Sequence, residues 1–322
     1  MTPLPTATHW QAARAVLSEL GLSEGNPPRS LHSGHRNSLP IVAHGNGRTF
    51  LLKYYLPSEP DKILPAGTRG DDFARREAGF YRLLDSLDPA RRDFPAPRTI
   101  AVGPGDPPGW LLLEWLPGAL GPTEEVIGQE HVIELLRRLG EVPSDRLLGR
   151  RGFPLEHWDP IGYLDRIRAM YDAVLFVLGE ARWRQVQRFF GEAVRWTDGR
   201  KHVLVHGDFH ENNIVVTEDG KPFLVDFECV GVGNRDHDFA WFWIHSQRHP
   251  EWKRQLLGRW FAGAYGGDRI RAEWGIRSTV VYLALRRLRW GYLTHGDEDP
   301  RQSANLALLD AALDGGASFF PA

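Results

Sequence analysis

The sequence predicts an α+β fold in two lobes: a smaller strand-rich N-terminal lobe, residues 1–116, and a larger, mainly helical C-terminal lobe, residues 117–322. Three observations carry this. Short aromatic and aliphatic runs bounded by Gly and Pro crowd the first third of the chain. After Pro117-Gly118 the apolar residues recur mostly at helical spacing. Strands and helices are thus segregated rather than alternating, which is the α+β pattern.

Taken in order, residues 8–20 read as an amphipathic helix ended by Gly21. Residues 22–47 are rich in Gly, Pro, Ser and Asn. TFLLKYYL, 49–56, is a strand by its aliphatic and aromatic density. Residues 71–87 form a helix with an apolar stripe through Phe73, Phe80, Tyr81 and Leu84. RTIAV (98–102) and WLLLEWL (110–116) are strands flanking a Gly/Pro turn. Residues 130–140, 159–178 and 181–196 read as helices, 203–205, 214–216 and 223–227 as short strands, and the chain from Asp238 onward as helical again.

Composition narrows the function classes. The 322 residues are 42% hydrophobic and 25% charged, a globular balance with enough chain for one large domain or two ordinary ones. A net charge of −2 gives no electrostatic case for nucleic acid or an anionic membrane. One cysteine, Cys229, excludes an internal disulfide framework. No apolar run suits a signal peptide or a membrane span, so a cytoplasmic protein is the expectation. Composition carries no signal for oligomeric state.

The densest polar stretch is HGDFHENN, His206–Asn213. Such a cluster suits a metal cage, a proton-transfer site or a polar turn. The following IVVTEDGKPFLVDF reads as a hairpin, with Asp219-Gly220 as a two-residue turn. That register sets Asn213 opposite Asp226 at the open end, unless Pro222 shifts it by a residue. Asp208, just before the first strand, can turn back to the same point. One carboxylate is then free to act as a base beside an amide oxygen and a second carboxylate. Two hard oxygen ligands from protein, completed by water and phosphate, are what Mg²⁺ usually takes.

These residues carry a resemblance. D-x-x-x-x-N followed by D-F resembles the catalytic loop and metal-binding Asp of protein kinases. HGDFHENN…VDFE is similar to the aminoglycoside phosphotransferase/choline kinase family, in which H-G-D stands in place of H-R-D. A strand lysine (Lys53), a helix glutamate (Glu77), the linker strand LLLEWLPG and Asp238-Phe239-Ala240 follow in family order, so the likeness spans roughly residues 30–242. It implies a protein-kinase-like fold and an ATP- and Mg²⁺-dependent transfer of the γ-phosphoryl group to a hydroxyl of a small molecule.

The resemblance also implies roles. Asp208 would be the catalytic base and His206 a brace of its loop. Asn213 and Asp226 would hold Mg²⁺. Lys53, paired with Glu77, would meet the α- and β-phosphates; this chain has only five lysines, and one inside an apolar strand is costly unless paired. An edge-strand lysine facing water is the alternative for Lys53, and a solvated helix acid for Glu77. The backbone C=O of Glu114 and N–H of Leu116 would meet the adenine edge. SLHSGHRNSL, 30–39, occupies the place of the phosphate-covering loop, with Ser33 and Gly34 as its candidate contacts. Asp238 would tie the loops around Asp208.

Two other classes compete. A metal-dependent phosphoesterase would use Gly207–His210 together with Gly233–His237, but only His245, His249 and His295 remain downstream, in no paired spacing. A nucleotide-binding pseudokinase or scaffold should lack one of Asp208, Asn213, Asp226 or Lys53, and all four are present. Between Glu228 and Arg301 nine acids face twelve Lys or Arg. That is the wrong sign for a polycation pocket, so a neutral or singly charged acceptor is expected.

Overall fold

A computed structural model describes residues 6–26, 37–56, 70–90, 94–120, 126–148, 156–169, 171–197, 202–264, 268–296 and 299–315. Ser33 and Gly34, with most of the 30–39 segment, lie outside them.

The N-terminal part is built on an antiparallel sheet of β1 (Ser23–Glu24), β2 (Ser38–Gly45), β3 (Arg48–Tyr55), β4 (Thr99–Val102) and β5 (Trp110–Glu114). Their order is β1-β2-β3-β5-β4. β2 falls in the stretch where sequence pattern showed only short apolar runs; Val42 breaks the alternation of Leu39, Ile41 and Ala43, and Pro40 is disfavoured within a strand. β3 is the middle strand, with Lys53 opposite Pro40 on one side and Leu111 on the other. The edge-strand alternative for Lys53 is therefore excluded.

Side chains alternate across a strand, and two helices exploit this. Phe50 and Leu52 face α1 (Ala7–Glu19), where they pack with Ala13, Leu17 and Leu112. Tyr55 faces α2 (Gly70–Leu87) together with Leu111, Leu113, Ala74, Ala78 and Tyr81. Lys53 shares the α2 face, two residues from Tyr55. The pleat alone brings this lysine under a helix and shuts it from water.

Beyond β5 the chain enters two small sheets. β6 (Gly118–Leu120) pairs with β9 (Ile214–Thr217), which pairs with β10 (Pro222–Leu224); β11 (Gly231–Gly233) lies between β7 (Glu156–Trp158) and β8 (Val203–Val205). The helices are α3 (Gln129–Glu141), α4 (Asp145–Leu148), α5 (Pro160–Ala169), α6 (Tyr171–Thr197), α7 (Asp236–His245), α8 (Pro250–Ala264), α9 (Arg269–His295) and α10 (Gln302–Asp314). The run expected as one helix over 159–178 is shared between α5 and α6, and Gly179, at φ +72, breaks α6 where a boundary was expected. One apolar core joins α2 and β5 to this helical part through Phe80, Phe94, Phe227 and Phe209. Among the described residues no helix is long and apolar enough to cross a membrane.

Candidate functional site

The hairpin differs from expectation by one residue. Gly220 N–H donates to Thr217 O at 2.8 Å, and Thr217 N–H to Lys221 O at 2.9 Å. The loop is thus three residues, Glu218–Gly220, because Gly220 takes the left-handed conformation (φ +78) that closes such a loop. Ile214 pairs with Leu224. Asn213 therefore faces Val225, whose N–H donates to Asn213 O at 3.0 Å. A one-residue slip normally sends a side chain to the opposite face. Asp226 breaks the alternation instead: its backbone is left-handed (φ +67, ψ +64), a state that costs a non-glycine residue about 1 kcal/mol. The turn brings the Asp226 carboxylate to the Lys53 ammonium.

Lys53 is the hub. Its Nζ donates to Glu77 Oε2 at 2.5 Å and to Asp226 Oδ1, and lies 3.9 Å from Glu228 Oε2. Glu77 is fully buried. It also accepts the Tyr55 hydroxyl at 2.7 Å and the Phe227 N–H at 3.2 Å. Burial works against the lysine's charge, but Asp226, Glu77 and Glu228 outweigh it and raise its pKa well above the usual value. Burial and the neighbouring Asp226 lift Glu77 against the pull of Lys53. Burial, then Asp226, pushes Glu228 up to about 8. Asn37 Nδ2 donates to Glu228 Oε1 at 2.9 Å, tying the start of β2 to this cluster.

The loop after β8 is fixed from below. Gly207 takes φ +81, and a Cβ there would collide with the carbonyl of Cys229, so only glycine fits. Asp238, on α7, accepts the N–H groups of His206 at 2.7 Å and Gly207 at 2.9 Å. His206 Nε2 donates to Val225 O at 3.0 Å and its Nδ1 accepts the Asp208 N–H at 3.3 Å. Burial, opposed by Asp208, lowers the His206 pKa to about 4, so the ring is a neutral brace. Its ring also packs 4.9 Å from Phe227, which lies 4.4 Å from Phe80 of α2. A line of rings thus couples α2 to the loop.

Asp208 carries its carboxylate at the loop's tip, about a third exposed. Oδ2 lies 3.3 Å from His210 Nε2 and 3.4 Å from Asn213 Nδ2, which also donates to Asp208 O at 2.8 Å. Burial would raise the Asp208 pKa, but the His210 hydrogen bond and charge, then His206 and Arg286, hold it at about 2. His210 is lowered by burial yet raised overall by Asp208. Asp208 is therefore an ionised carboxylate with one oxygen engaged. With its NH₂ turned to Asp208, Asn213 has its amide oxygen on the other branch.

The structure brings Lys53, Glu77 and Asp226 together, and Asp208 with Asn213 beside His206. Glu114 and Leu116 stand apart, at the end of β5 and two residues beyond; Glu114 N–H donates to Arg98 O at 2.9 Å. Residues given no role in the phosphotransferase site from sequence are Tyr55, His210 and Glu228. Each sits two positions from a residue that was: Tyr55 shares the strand face of Lys53, and the other two flank Asp208 and Asp226. The phosphoesterase alternative loses its second element, because Asp236 accepts Trp260 Nε1–H at 3.0 Å and His237 Nδ1 lies 2.6 Å from the Tyr163 hydroxyl, both inside the core.

Comparison with known proteins follows the same lines. The profile described as the phosphotransferase enzyme family matches residues 29–274. A crystal structure of a thermostable mutant of aminoglycoside phosphotransferase APH(4)-Ia is similar with a TM-score of 0.61 at 17% identity, covering 95% of this chain and 99% of that one. The choline kinase LicA from Streptococcus pneumoniae is similar with a TM-score of 0.58 at 13% identity, covering 96% and 98%. An uncharacterized protein of Deinococcus radiodurans is 31% identical over 85 residues, and the match spans 26% of this chain and 25% of that protein.

Proposed function

Because the chain belongs to the phosphotransferase enzyme family, we propose that it transfers the γ-phosphoryl group of ATP, with Mg²⁺, to a hydroxyl of a small molecule. The fold is the kinase-like fold of its structural neighbours. On this reading residues 1–116 form the nucleotide lobe and 117–322 the lobe with the catalytic loop, metal site and acceptor pocket. The support for nucleotide use is twofold: the Lys53–Glu77–Asp226 cluster of this chain, and related solved structures described as complexes with ADP or AMP-PNP and hygromycin B.

The residues present fit Mg²⁺. Asp226 and the amide oxygen of Asn213 are hard donors. Among the described residues, Glu77, Asp226 and Glu228 gather on the single ammonium of Lys53, so the carboxylates there outnumber the cation that meets them and a divalent cation would balance them. When bound, the ion neutralises charge on the phosphates.

The chain's own groups do the rest. Lys53, held upright by Glu77 and Tyr55, meets the α- and β-phosphates. Backbone groups of Glu114 and Leu116 meet the adenine edge, and Ser33 and Gly34 belong to the segment covering the phosphates. Asp208 accepts the acceptor's hydroxyl proton as that oxygen bonds to the γ-phosphorus; the bond from phosphorus to the β–γ bridging oxygen breaks, and ADP leaves. Phosphoryl transfer needs positioning and charge stabilisation more than a strong base, so a carboxylate of low pKa suits the task. His206, Asp238 and Gly207 fix the loop that carries it.

The single observation carrying this reading is the junction of Lys53 with both Glu77 and Asp226, from three separate stretches of chain. The test is ADP formation by pure protein, with ATP and Mg²⁺, across choline, amino alcohols, sugars, nucleosides and kanamycin. A phosphomonoester product seen by phosphorus NMR supports it. ATP left intact with every acceptor, or cleaved only to free phosphate, contradicts it.

A further inference from the structure

The loop that carries Asp208 packs on α7, with the Phe209 and Phe242 ring centres 5.8 Å apart and Asp238 holding the loop's N–H groups. α7 packs along α9. The charges of Asp208 and of these helices act on one another: Arg286 lowers the Asp208 pKa, and Asp208 acts on His245. Three cations group here: Arg286 of α9 over Trp241, Lys253 of α8 over Trp243, and Arg287 of α9, whose charge acts on both His245 and Lys253.

None of the three has a carboxylate partner among the described residues. The Arg286 guanidinium lies over the Trp241 ring, 5.3 Å from its centre, and His245 stacks on the same tryptophan at 4.9 Å. Lys253 Nζ lies 5.3 Å from the centre of Trp243 and donates to Ser246 O at 3.4 Å. Other arginines of α8 and α9 are engaged: Arg254 pairs with Glu251, Arg259 with Glu130 and Arg269 with Glu273, while Arg277 donates to the carbonyls of Ala312 and Leu313.

The described acids of this region are already committed; Asp297 and Glu298 lie outside the described residues. Glu211 accepts from Arg248 and from the Ser246 hydroxyl, both at 2.9 Å. Asp238 is spent on two loop N–H groups, Asp236 on Trp260 and Asp299 on Arg301. His245 is pushed down to about 4 by burial, so it adds no charge at neutral pH. Burial, then Arg301 and Arg286, lowers the Arg287 pKa, and Lys253 is lowered by burial while Glu211 opposes and Arg287 assists. Half-buried cations that repel one another are costly to hold without a counter-charge. Aromatic planes hold two of the cationic groups in place at little cost, as in preformed anion sites.

We infer that the acceptor carries an anionic group, a carboxylate or a phosphate, seated by Arg286, Arg287 and Lys253 while its hydroxyl meets Asp208. This rests on the phosphotransferase reading and narrows it. It goes further than the regional charge balance, because the cations left unpaired lie on Asp208's own side.

The experiment measures ADP formation by the full chain with four probes and two controls. Glycerate and glucose 6-phosphate are the anionic probes, glycerol and glucose their neutral counterparts, and choline and kanamycin the cationic controls. The expected result is a preference of at least about tenfold in kcat/KM for an anion over its neutral counterpart, the scale of one charge-assisted hydrogen bond. Glycerate against glucose 6-phosphate separates carboxylate from phosphate. Arg287→Gln and Lys253→Gln should each raise KM for the anion by roughly tenfold or more with KM for ATP unmoved, and Arg287→Lys should recover part of the loss. Added salt should weaken the preference. Turnover of neutral or cationic acceptors that is equal or better, with KM insensitive to Arg287→Gln, overturns the anionic assignment while ADP formation keeps the phosphotransferase reading. No ADP with any probe removes both.

Discussion

Lys53 Nζ stands 2.5 Å from Glu77 Oε2, and both side chains are more than nine-tenths shut from water. The strand pleat puts the lysine on the α2 face, and α2 supplies the acid. Asp226 and Glu228 add to the same ammonium from the far side of the chain, so it holds three carboxylates at once.

Lys53→Met removes that charge and leaves the acids facing one another. Breaking a buried pair this way costs about 3–5 kcal/mol. The loss should shrink in acid. Glu77 and Glu228 have folded pKa values raised above their unfolded ones, so their protonation favours the folded state at low pH and that contribution is lost as pH rises. Urea unfolding of parent and variant at pH 5 and pH 8 checks it. A penalty equal at both pH values contradicts the shared-charge account.

Asp238→Ala strips the partner from two buried N–H groups, those of His206 and Gly207. The expected destabilisation is about 2–4 kcal/mol, the cost of leaving buried donors unmet. Asp238→Asn, which keeps one acceptor, should lose roughly half. Denaturant midpoints decide, and a neutral Asp238→Ala would mean the loop is held elsewhere.

The His210–Asp208 pair predicts a pH window in the chain free of metal and nucleotide. His210 has a raised folded pKa, so its contribution is complete below the ordinary histidine value and lost as pH rises through the raised one. Asp208 is depressed to about 2, so its contribution is present above the ordinary carboxylate value and lost as pH falls toward about 2. Between those limits the pair is intact. His210→Gln should flatten the alkaline fall in stability, and NMR titration of His210 should give a pKa above that of a free histidine. A value at or below it contradicts the pair.

Much of this site was legible in the chain. Lys53 stood out because an apolar strand tolerates a lysine only with a partner. Asp208, Asn213 and Asp226 were marked by spacing around a turn. The register was misplaced by one residue because Asp219-Gly220 suits both two- and three-residue loops, and only the backbone of Gly220 distinguishes them. β2 was missed because Val42 blurs its alternation and Pro40 argues against a strand. His210 and Glu228 went unassigned because a polar residue beside a polar cluster carries no periodic signal; His210 meets Asp208 only through the fold of its loop, and Glu228 meets Asn37 and Lys53, both distant in sequence.

Mg²⁺ with a non-hydrolysable ATP analogue should raise Tm more than either alone, since binding to the folded chain stabilises it by mass action. Asn213→Ala should raise the Mg²⁺ concentration needed for half the shift. An unchanged Mg²⁺ dependence would exclude Asn213 as a ligand.

The most direct measurement is turnover by Asp208→Asn beside its affinity for ATP, since Asn keeps the size of the side chain and removes the acceptor of the proton. The account predicts a fall in kcat by a factor of about 10² to 10⁴, the usual worth of a positioned base, with ATP affinity close to that of the parent. Turnover near the parental rate would contradict it.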